Sequence, residues 1–373
     1  MTNRLFLILS GLCFFSSVFV ACQKSETAPI PILNGTAATV ESLGKLLFYD
    51  PILSGNKDVA CATCHHPSLG YTDNRDLSVG VNAVGLGINR HFLLPNSFSP
   101  AKRKSMTILN TAFNGMDDKG NYDPANAPMF WDSRSRSLEQ QVLGPITSDV
   151  EMRAKAYPEA VAIDSVVARL RNIPEYQALF TSAFGGSQAV TSINMARAIA
   201  AFERTLTAIN SPFDKYKRGE VTAMTPQQIQ GMNDFQTAGC AGCHSGTMFS
   251  DYKLHVLSAP DNIKSTTSDS GNGTFAFRTV SLRNTKLTAP YMHSGVFQTL
   301  NDVVSFYTRI AGGNSQNPRV NSRQIDPIVR NINVRPNQIA ALVAFINALT
   351  DENFDKTVPV SVPSKLNVGG NIK

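Results

Sequence analysis

A five-residue motif occurs twice in this chain and constrains its fold more than any other feature. It reads Cys-x-x-Cys-His, first at 61–65 and again at 240–244. Two cysteines at this spacing followed by a histidine form the attachment pattern of c-type haem, in which the thiols bond to the vinyl groups and the imidazole binds iron. We therefore predict two covalent haem c groups, held by Cys61, Cys64 and His65 and by Cys240, Cys243 and His244. The repetition weakens the alternative of a zinc half-site.

The N-terminal segment predicts export, which agrees with the attachment of haem c outside the bacterial cytoplasm. Arg4 precedes an apolar run that ends at Ala21, which is typical of a signal peptide and too short for a membrane span. Phe-Val-Ala-Cys at 19–22 resembles a lipoprotein cleavage box. We expect residues 1–21 to be removed, Cys22 to be lipidated and residues 22–38 to form a flexible tether. The predicted location is the periplasm, with a lipid anchor to the cell envelope; plain secretion is the alternative.

Charge and cysteine content argue against other classes of protein. The net charge of the 373-residue chain is +6, which the propionates of two haems would largely offset. No long Lys/Arg run indicates nucleic acid. Outside the two motifs and the N-terminal segment the sequence has no cysteine, so we expect no disulfide in the body of the protein.

The apolar periodicity is helical and no strand pattern is sustained. Helices are predicted at 39–49, 137–143, 163–170 and 195–206, from Thr225, and from Pro336 to Leu349. The pattern breaks at 210–214. We therefore predict a mainly α protein of two cytochrome c-like haem domains with long irregular loops: an N-terminal domain at 39–210, a C-terminal domain at 211–352 and a tail at 353–373.

Further motifs between residues 40 and 352 carry a family resemblance. They are Leu-Leu-Phe-Tyr-Asp-Pro at 46–51, Met-Phe-Trp-Asp at 129–132, Leu-Glu-Gln-Gln-Val-Leu-Gly-Pro-Ile at 138–146, Phe-Glu-Arg-Thr-Leu at 202–206, Phe-Arg-Thr-Val-Ser-Leu-Arg-Asn at 277–284, Leu-Thr-Ala-Pro-Tyr-Met-His-Ser-Gly at 287–295 and Leu-Val-Ala-Phe at 342–345. The chain is thereby similar to the bacterial di-haem cytochrome c peroxidases, a family that includes the MauG-type enzymes.

The resemblance implies different roles for the two haems. The N-terminal haem would be peroxidatic, and the C-terminal haem would receive electrons. Some family members block the first iron with a histidine shortly after a Ser-Val-Gly segment. In this chain Val81 follows Ser-Val-Gly at 78–80, which predicts an open face, with His91 as the alternative blocking ligand.

The same resemblance implies three catalytic residues. Glu151 and Gln141 match the carboxylate and the amide that the family places on the open face. A glutamate there can move a proton between the two peroxide oxygens. Trp131 matches a tryptophan that relays oxidising equivalents between the haems.

At the second haem the chain departs from peroxidases that have methionine as the sixth ligand. Tyr307 stands at the matching position, as in MauG-type enzymes, with Met292 or Met248 as alternatives. A phenolate oxygen would stabilise ferric iron, so this departure leaves the electron donor and the substrate open. Arg283 and His293 are expected to bind haem propionates.

The resemblance also implies a calcium ion between the domains. Its ligands would be the side chain of Asn110 and the carbonyl oxygens of Thr288 and Pro290, and oxygen-only ligation suits calcium. Because family members often dimerise, a homodimer is a further expectation.

Three functions follow from this reading. The first is a peroxidase that reduces hydrogen peroxide to water, with electrons from a small cytochrome c or cupredoxin. The second is a MauG-type enzyme that uses peroxide-derived high-valent haem to oxidise a protein or organic substrate. The third is a non-enzymatic di-haem electron carrier, which requires both irons to be six-coordinate.

Overall fold

The computed structural model describes residues 37–117 and 119–373. The α-helices are α1 (Ala37–Tyr49), α2 (Cys61–Cys64), α3 (Leu138–Thr147), α4 (Ala162–Arg171), α5 (Pro174–Phe184), α6 (Ser192–Thr205), α7 (Pro212–Lys217), α8 (Pro226–Thr237), α9 (Leu300–Ile310) and α10 (Ile339–Ala348). Strands β1 (Ala83–Val84) and β2 (His91–Phe92) pair antiparallel, as do β3 (Leu254–His255) and β4 (Phe277–Arg278). The predicted signal peptide, lipidated Cys22 and all but the end of the tether lie outside the described residues.

The prediction of a mainly α protein with long irregular loops is confirmed. No longer strand occurs among residues 37–117 and 119–373. Each helix in this part of the chain is too short or too polar to span a lipid bilayer. Helix α1 begins at Ala37, so it includes the last residues of the predicted tether.

Local capping explains where α8 begins. The Thr225 hydroxyl accepts a hydrogen bond from the Gln228 N–H (3.3 Å), and the Gln228 side-chain oxygen accepts one from the Thr225 N–H (2.8 Å). Pro226 occupies the first helical position, where its missing N–H costs nothing. This reciprocal pair is the one that the sequence predicts.

Each half of the chain contains the same close pair of helices. Helix α1 approaches α6 so closely that a Cβ at Gly44 would overlap the carbonyl oxygen of Ala198. Helices α8 and α10 meet in the same way at Gly231 and Ala341. Only glycine permits such an approach of two backbones. The likeness of the two halves therefore extends beyond the Cys-x-x-Cys-His motifs.

A buried asparagine repeats in the same way. Asn110 donates to the Ala208 carbonyl oxygen (3.1 Å) and accepts from the Ala208 N–H (2.7 Å). Asn284 makes the equivalent pair with Asp351, at 2.6 and 3.3 Å. Both asparagines have left-handed backbone, with φ of 63° and 62°, a conformation that asparagine tolerates. Each fixes a loop to the chain just past α6 or α10.

Two main clusters of buried apolar side chains correspond to these halves. One runs from Val40 to Ala208 and the other from Met224 to Leu349. Phe354 and Val362 of the tail belong to the first cluster, so the tail returns from the second half to the first. The domain boundaries at 210 and 352 stay a prediction.

Candidate active site

The first Cys-x-x-Cys-His motif forms a short helix that places its thiols and imidazole on the wall of one cavity. The His65 N–H closes the turn by donating to the Cys61 carbonyl oxygen (2.9 Å). His65 Nδ1 lies 3.2 Å from the carbonyl oxygen of Tyr71. Nδ1 therefore carries the proton, which leaves Nε2 as the ligand atom. Burial lowers the pKa of His65 and favours the neutral imidazole that iron requires.

The second motif has the same arrangement. Residues Cys240–Gly242 form a 3-10 turn, and the His244 N–H donates to the Cys240 carbonyl oxygen (3.0 Å). His244 Nδ1 lies 3.0 Å from the carbonyl oxygen of Phe249. Burial also lowers the pKa of His244. A backbone carbonyl thus orients both histidines for a ligand at Nε2.

The cavity beside the first motif has a volume of about 470 Å³. Cys61, Cys64 and His65 line it, and apolar side chains form much of the remaining wall: Val59, Ala60, Ala101, Met106, Ile108, Leu109, Met129, Leu138, Val142 and Met152. Burial raises the pKa of the Cys64 thiol to about 12. Zinc prefers thiolates, whereas protonated thiols, a neutral imidazole and an apolar wall fit a covalently attached haem.

Gln141 and Glu151 line this same cavity. Gln141 lies on α3, which begins where the Ser137 hydroxyl accepts from the Gln140 N–H (3.2 Å). After α3 the chain makes a π-helical turn at Asp149–Arg153 that carries Glu151. Such turns are rare and often occur at functional sites. Burial raises the pKa of Glu151, and the nearby Arg134 partly opposes this.

A second, more polar cavity adjoins the first at Glu151. Its volume is about 290 Å³ and it is partly open to solvent. Glu151 and Arg134 line both cavities. We call the cavity beside the first motif the inner cavity and this second one the outer cavity, and Glu151 borders both.

Trp131 lies where the two halves of the chain meet. Its indole N–H donates to the Lys104 carbonyl oxygen (3.0 Å), and its own carbonyl oxygen accepts from the Arg278 N–H (2.7 Å). Its ring centre is 6.4 Å from that of His293. Trp131 also lines the inner cavity, so one side chain contacts both the first site and the second half.

The two predicted propionate partners differ in their surroundings. The Arg283 guanidinium is paired with both carboxylate oxygens of Asp214 (2.8 and 2.9 Å) and donates to the Thr247 carbonyl oxygen (2.7 Å). His293 stacks on Phe277 at 3.6 Å, and its buried Nε2 has no hydrogen-bond partner among the described residues. Burial lowers the pKa of His293 to about 4. An unpaired buried polar atom is costly, so His293 has a position open to an additional acceptor, whereas Arg283 lines the inner cavity with its guanidinium already paired.

Tyr307 lies on α9 near the second motif. Burial raises its pKa, and the thiols of Cys243 and Cys240 add to this effect. Met292 lines the inner cavity of the first motif, and Met248 is buried. The surroundings of Tyr307 suit a ligand of the second haem, which stays a prediction.

Some of the predicted calcium ligands make other contacts in the structure. The Asn110 side-chain oxygen accepts from Ala208, and Thr288 and Pro290 line the inner cavity. Within the described ranges, the one group of cysteine, histidine and acidic side chains with metal-binding geometry is Cys243, Asp251 and His255. That group shares its thiol with the second motif, and calcium stays a prediction.

Comparison with known proteins decides the family. The profile of the family described as di-haem cytochrome c peroxidase matches residues 38–222. Methylamine utilization protein MauG of Methylorubrum extorquens is 32% identical over 348 residues, which are 90% of this chain and 85% of that protein. The chain belongs to the di-haem cytochrome c peroxidase family.

Other relatives of this peroxidase agree. Cytochrome c551 peroxidase of Pseudomonas aeruginosa is 32% identical over 320 residues, covering 83% of this chain and 78% of that protein. A solved structure of a MauG-like protein associated with microbial copper homeostasis has a TM-score of 0.68 at 25% identity, covering 87% and 92% of the two chains. The resemblance read from the motifs is confirmed. The chain is an oxidoreductase of the peroxidase type that carries haem c.

Lys104, Arg134 and Glu203 are among the residues on the wall of this peroxidase's inner cavity that were not predicted from sequence. Burial lowers the pKa of Lys104 to about 8 and raises that of Glu203 to about 8. Glu203 lies in the Phe-Glu-Arg-Thr-Leu motif and Lys104 in a short basic cluster. The sequence shows where these two residues stand, but it does not show that they are buried.

His255, to which the sequence assigned no role, is buried between two carboxylates. Its ring nitrogens lie 2.6 Å from Asp326 and 2.9 Å from Asp251. The Cys243 thiol and these carboxylates raise the pKa of His255 to about 10. The group cross-links β3 to the chain beside the second motif.

Proposed function

We propose that this peroxidase reduces hydrogen peroxide to water at the His65 site. The observation that carries the proposal is that His65, Gln141 and Glu151 line one cavity, while Glu151 also borders the outer cavity. Haem held by Cys61, Cys64 and His65 would supply an iron that binds peroxide and accepts its oxidising equivalents. Reduction of one peroxide to two waters consumes two electrons and two protons, so the cavity needs a residue that moves protons.

Glu151 is the residue proposed for this task. As a carboxylate it accepts a proton from one peroxide oxygen, and as an acid it returns that proton to the oxygen that leaves as water. Its raised pKa makes the return of the proton easier. Gln141 can donate an amide N–H to the same oxygens, which orients them.

Electrons would enter at the His244 haem from a small cytochrome c or cupredoxin. Trp131, the only tryptophan in the sequence, would relay them to the His65 site, and its contacts with both halves support this role. Tyr307 would occupy the sixth ligand position of the second iron.

The test combines a haem count, an assay and a spectrum. A pyridine haemochrome assay should find two haems per chain, and the holoprotein should oxidise reduced cytochrome c with peroxide. Val81 is buried, and the exposed His91 has its Nδ1 2.9 Å from the Asn89 carbonyl oxygen. We therefore expect a high-spin ferric signal in the oxidised protein. A purely low-spin spectrum without activity would instead support an electron carrier.

A MauG-type reaction is the second candidate, and the surroundings of Tyr307 favour it. A partly buried phenol beside the second motif suits a ferric site that stores oxidising equivalents rather than one that is readily reduced. Steady-state oxidation of reduced cytochrome c, compared with peroxide-dependent oxidation of candidate proteins, separates the two. Faster turnover of a protein substrate would favour the MauG-type reaction.

Calcium, the lipid anchor and dimerisation are further parts of the proposal. Calcium at Asn110, Thr288 and Pro290 predicts that chelation lowers activity and that added calcium restores it. Lipidation of Cys22 predicts the added mass of the lipid on the mature N-terminal peptide. Sedimentation of the holoprotein measures whether it is a homodimer.

A further inference from the structure

Arg90 has 2% of its surface exposed, and its guanidinium donates to four backbone carbonyl oxygens. Nε donates to Val79 (2.6 Å) and one terminal nitrogen to Gly80 (2.6 Å). The other terminal nitrogen donates to Gly85 (3.1 Å) and Asn371 (2.9 Å). A planar guanidinium can fix several acceptors at once. Here it joins one loop to the end of the C-terminal tail.

The loop held by this guanidinium packs directly on the turn of Glu151. The Val81 N–H donates to the Val150 carbonyl oxygen (3.3 Å). A Cβ at Gly80 would lie 2.5 Å from the Glu151 carbonyl oxygen and 2.7 Å from its Cα. Ser78, at the start of the loop, lines the inner cavity. A shift of this loop would therefore move the backbone of Glu151.

The tail ties the same loop to the first haem-attachment segment. The Asn371 N–H donates to the Asp58 carbonyl oxygen (2.8 Å), and the Asn371 carbonyl oxygen also accepts from the Gly85 N–H (3.0 Å). The Asp58 carboxylate accepts from the Asn82 N–H (3.0 Å). Asp58 lies a few residues before Cys61, so the loop has little freedom to move relative to that motif.

We propose that Arg90 is a positioning residue that, with the end of the tail, fixes the loop at 78–85. The fixed loop holds the Glu151 turn in place and keeps His91 away from the iron. This inference rests on the proposed function, because only a peroxide site requires the face opposite His65 to stay open. His91 directly follows Arg90 and lies exposed on β2, where it pairs with Val84 of this loop, so release of the loop would also release the strand that carries His91.

The experiment compares four ferric holoproteins with both haems: wild type, Arg90→Lys, a deletion of residues 371–373, and Arg171→Lys. Lysine keeps the charge of Arg90 but offers a single nitrogen. Arg171 is the control, because its guanidinium also donates to a backbone carbonyl oxygen, that of Val190 (3.0 Å), just before α6. The readouts are amide hydrogen exchange across 78–85 and the spin state of the His65 haem.

We expect exchange across 78–85 to rise at least about tenfold in Arg90→Lys and in the deletion, since a hydrogen bond to a charged group is worth about that factor. Exchange in α8 and α10 should not change. The low-spin fraction at the first haem should rise, and adding His91→Ala should restore the high-spin signal without restoring protection of the loop. Arg171→Lys should show neither effect.

Unchanged hydrogen exchange across 78–85 in a folded Arg90→Lys protein would overturn the proposal. If the lysine variant does not fold, unchanged exchange in the deletion of residues 371–373 would overturn it. Faster exchange without any change in spin state would also overturn it. Failure of the proposed function looks different: the wild type itself would then lack both a high-spin signal and peroxidase activity, whatever the loop shows.

Discussion

At the scale of single residues, Glu151 sets the pH dependence of the proposed reaction. Burial raises its pKa above the usual value for glutamate. The proton acceptor is the carboxylate, so activity is present above this raised pKa and is lost as the pH falls through it. We expect kcat/KM for peroxide to decline at a higher pH than an ordinary glutamate would give. Glu151→Gln should lower kcat/KM by about 10²–10⁴-fold and remove that limb of the profile.

Glu175→Gln is the matched control for this change. Its carboxylate side chain is 53% exposed and pairs with Lys365, and exposed pairs contribute little. Activity and pH profile should both match the wild type. Retention of the acidic limb in Glu151→Gln would show that another group is the proton acceptor.

Trp131→Phe tests the electron relay. Phenylalanine keeps an aromatic ring but loses the oxidisable indole and its hydrogen bond to Lys104. Turnover with a reduced protein donor should fall at least about tenfold, while the first reaction with peroxide, followed by stopped flow, should keep its rate constant. Trp131→Tyr retains an oxidisable ring and should recover part of the turnover. Equal loss of both rates would indicate damage to the cavity instead.

Burial separates the site residues that sequence could predict from those that it could not. Glu151, Gln141 and Trp131 were predicted because fixed spacings within a family motif mark them. Lys104 and Glu203 were missed because a charged residue is usually exposed, and only the packed structure shows them on the cavity wall. The four acceptors of Arg90 come from distant parts of the sequence, so no local pattern predicts them.

At the scale of elements, the close helix pairs depend on Gly44 and Gly231. Gly231→Ala would force its Cβ into the Ala341 carbonyl oxygen, so α8 and α10 must separate. We expect a loss of about 1–3 kcal/mol in the free energy of unfolding, measured by urea denaturation. Gln227→Ala, at an exposed position of the same helix, should stay within about 0.5 kcal/mol of the wild type. Equal stability of the two variants would contradict the tight contact.

Capping boxes in the sequence mark the first residues of helices. The capping box of α8 placed its first residue, whereas α9 was missed although Thr299 and Asp302 form the same kind of box, at 3.1 and 2.9 Å. By contrast, the contacts of Gly44 and Gly231 could not be predicted from the sequence, because a glycine within a helix does not indicate which other helix packs against it.

At the scale of the whole molecule, the tail completes the core of the first half. The Ser364 hydroxyl donates to the Asp50 carboxylate (2.6 Å), and the Thr63 hydroxyl donates to the Gly369 carbonyl oxygen (2.7 Å). The second cluster ends at Leu349, before the tail begins. The first half therefore reaches its full stability only when the last residues of the chain are in place, although its own sequence ends far earlier.

Val362→Ala tests this dependence with a single side chain. Val362 has 1% of its surface exposed and packs in the first cluster, whereas Val360 has its whole surface exposed. Removing two buried methyl groups should lower the free energy of unfolding by about 2 kcal/mol, and Val360→Ala should change it by less than about 0.5 kcal/mol. Hydrogen exchange should locate the loss in α1 and α6 and leave α8 and α10 unchanged, because the tail packs on the first cluster only. If neither substitution changed the free energy of unfolding, the tail would lie on the first half without stabilising it. The contact of Arg90 with Asn371 would then not hold the loop in place.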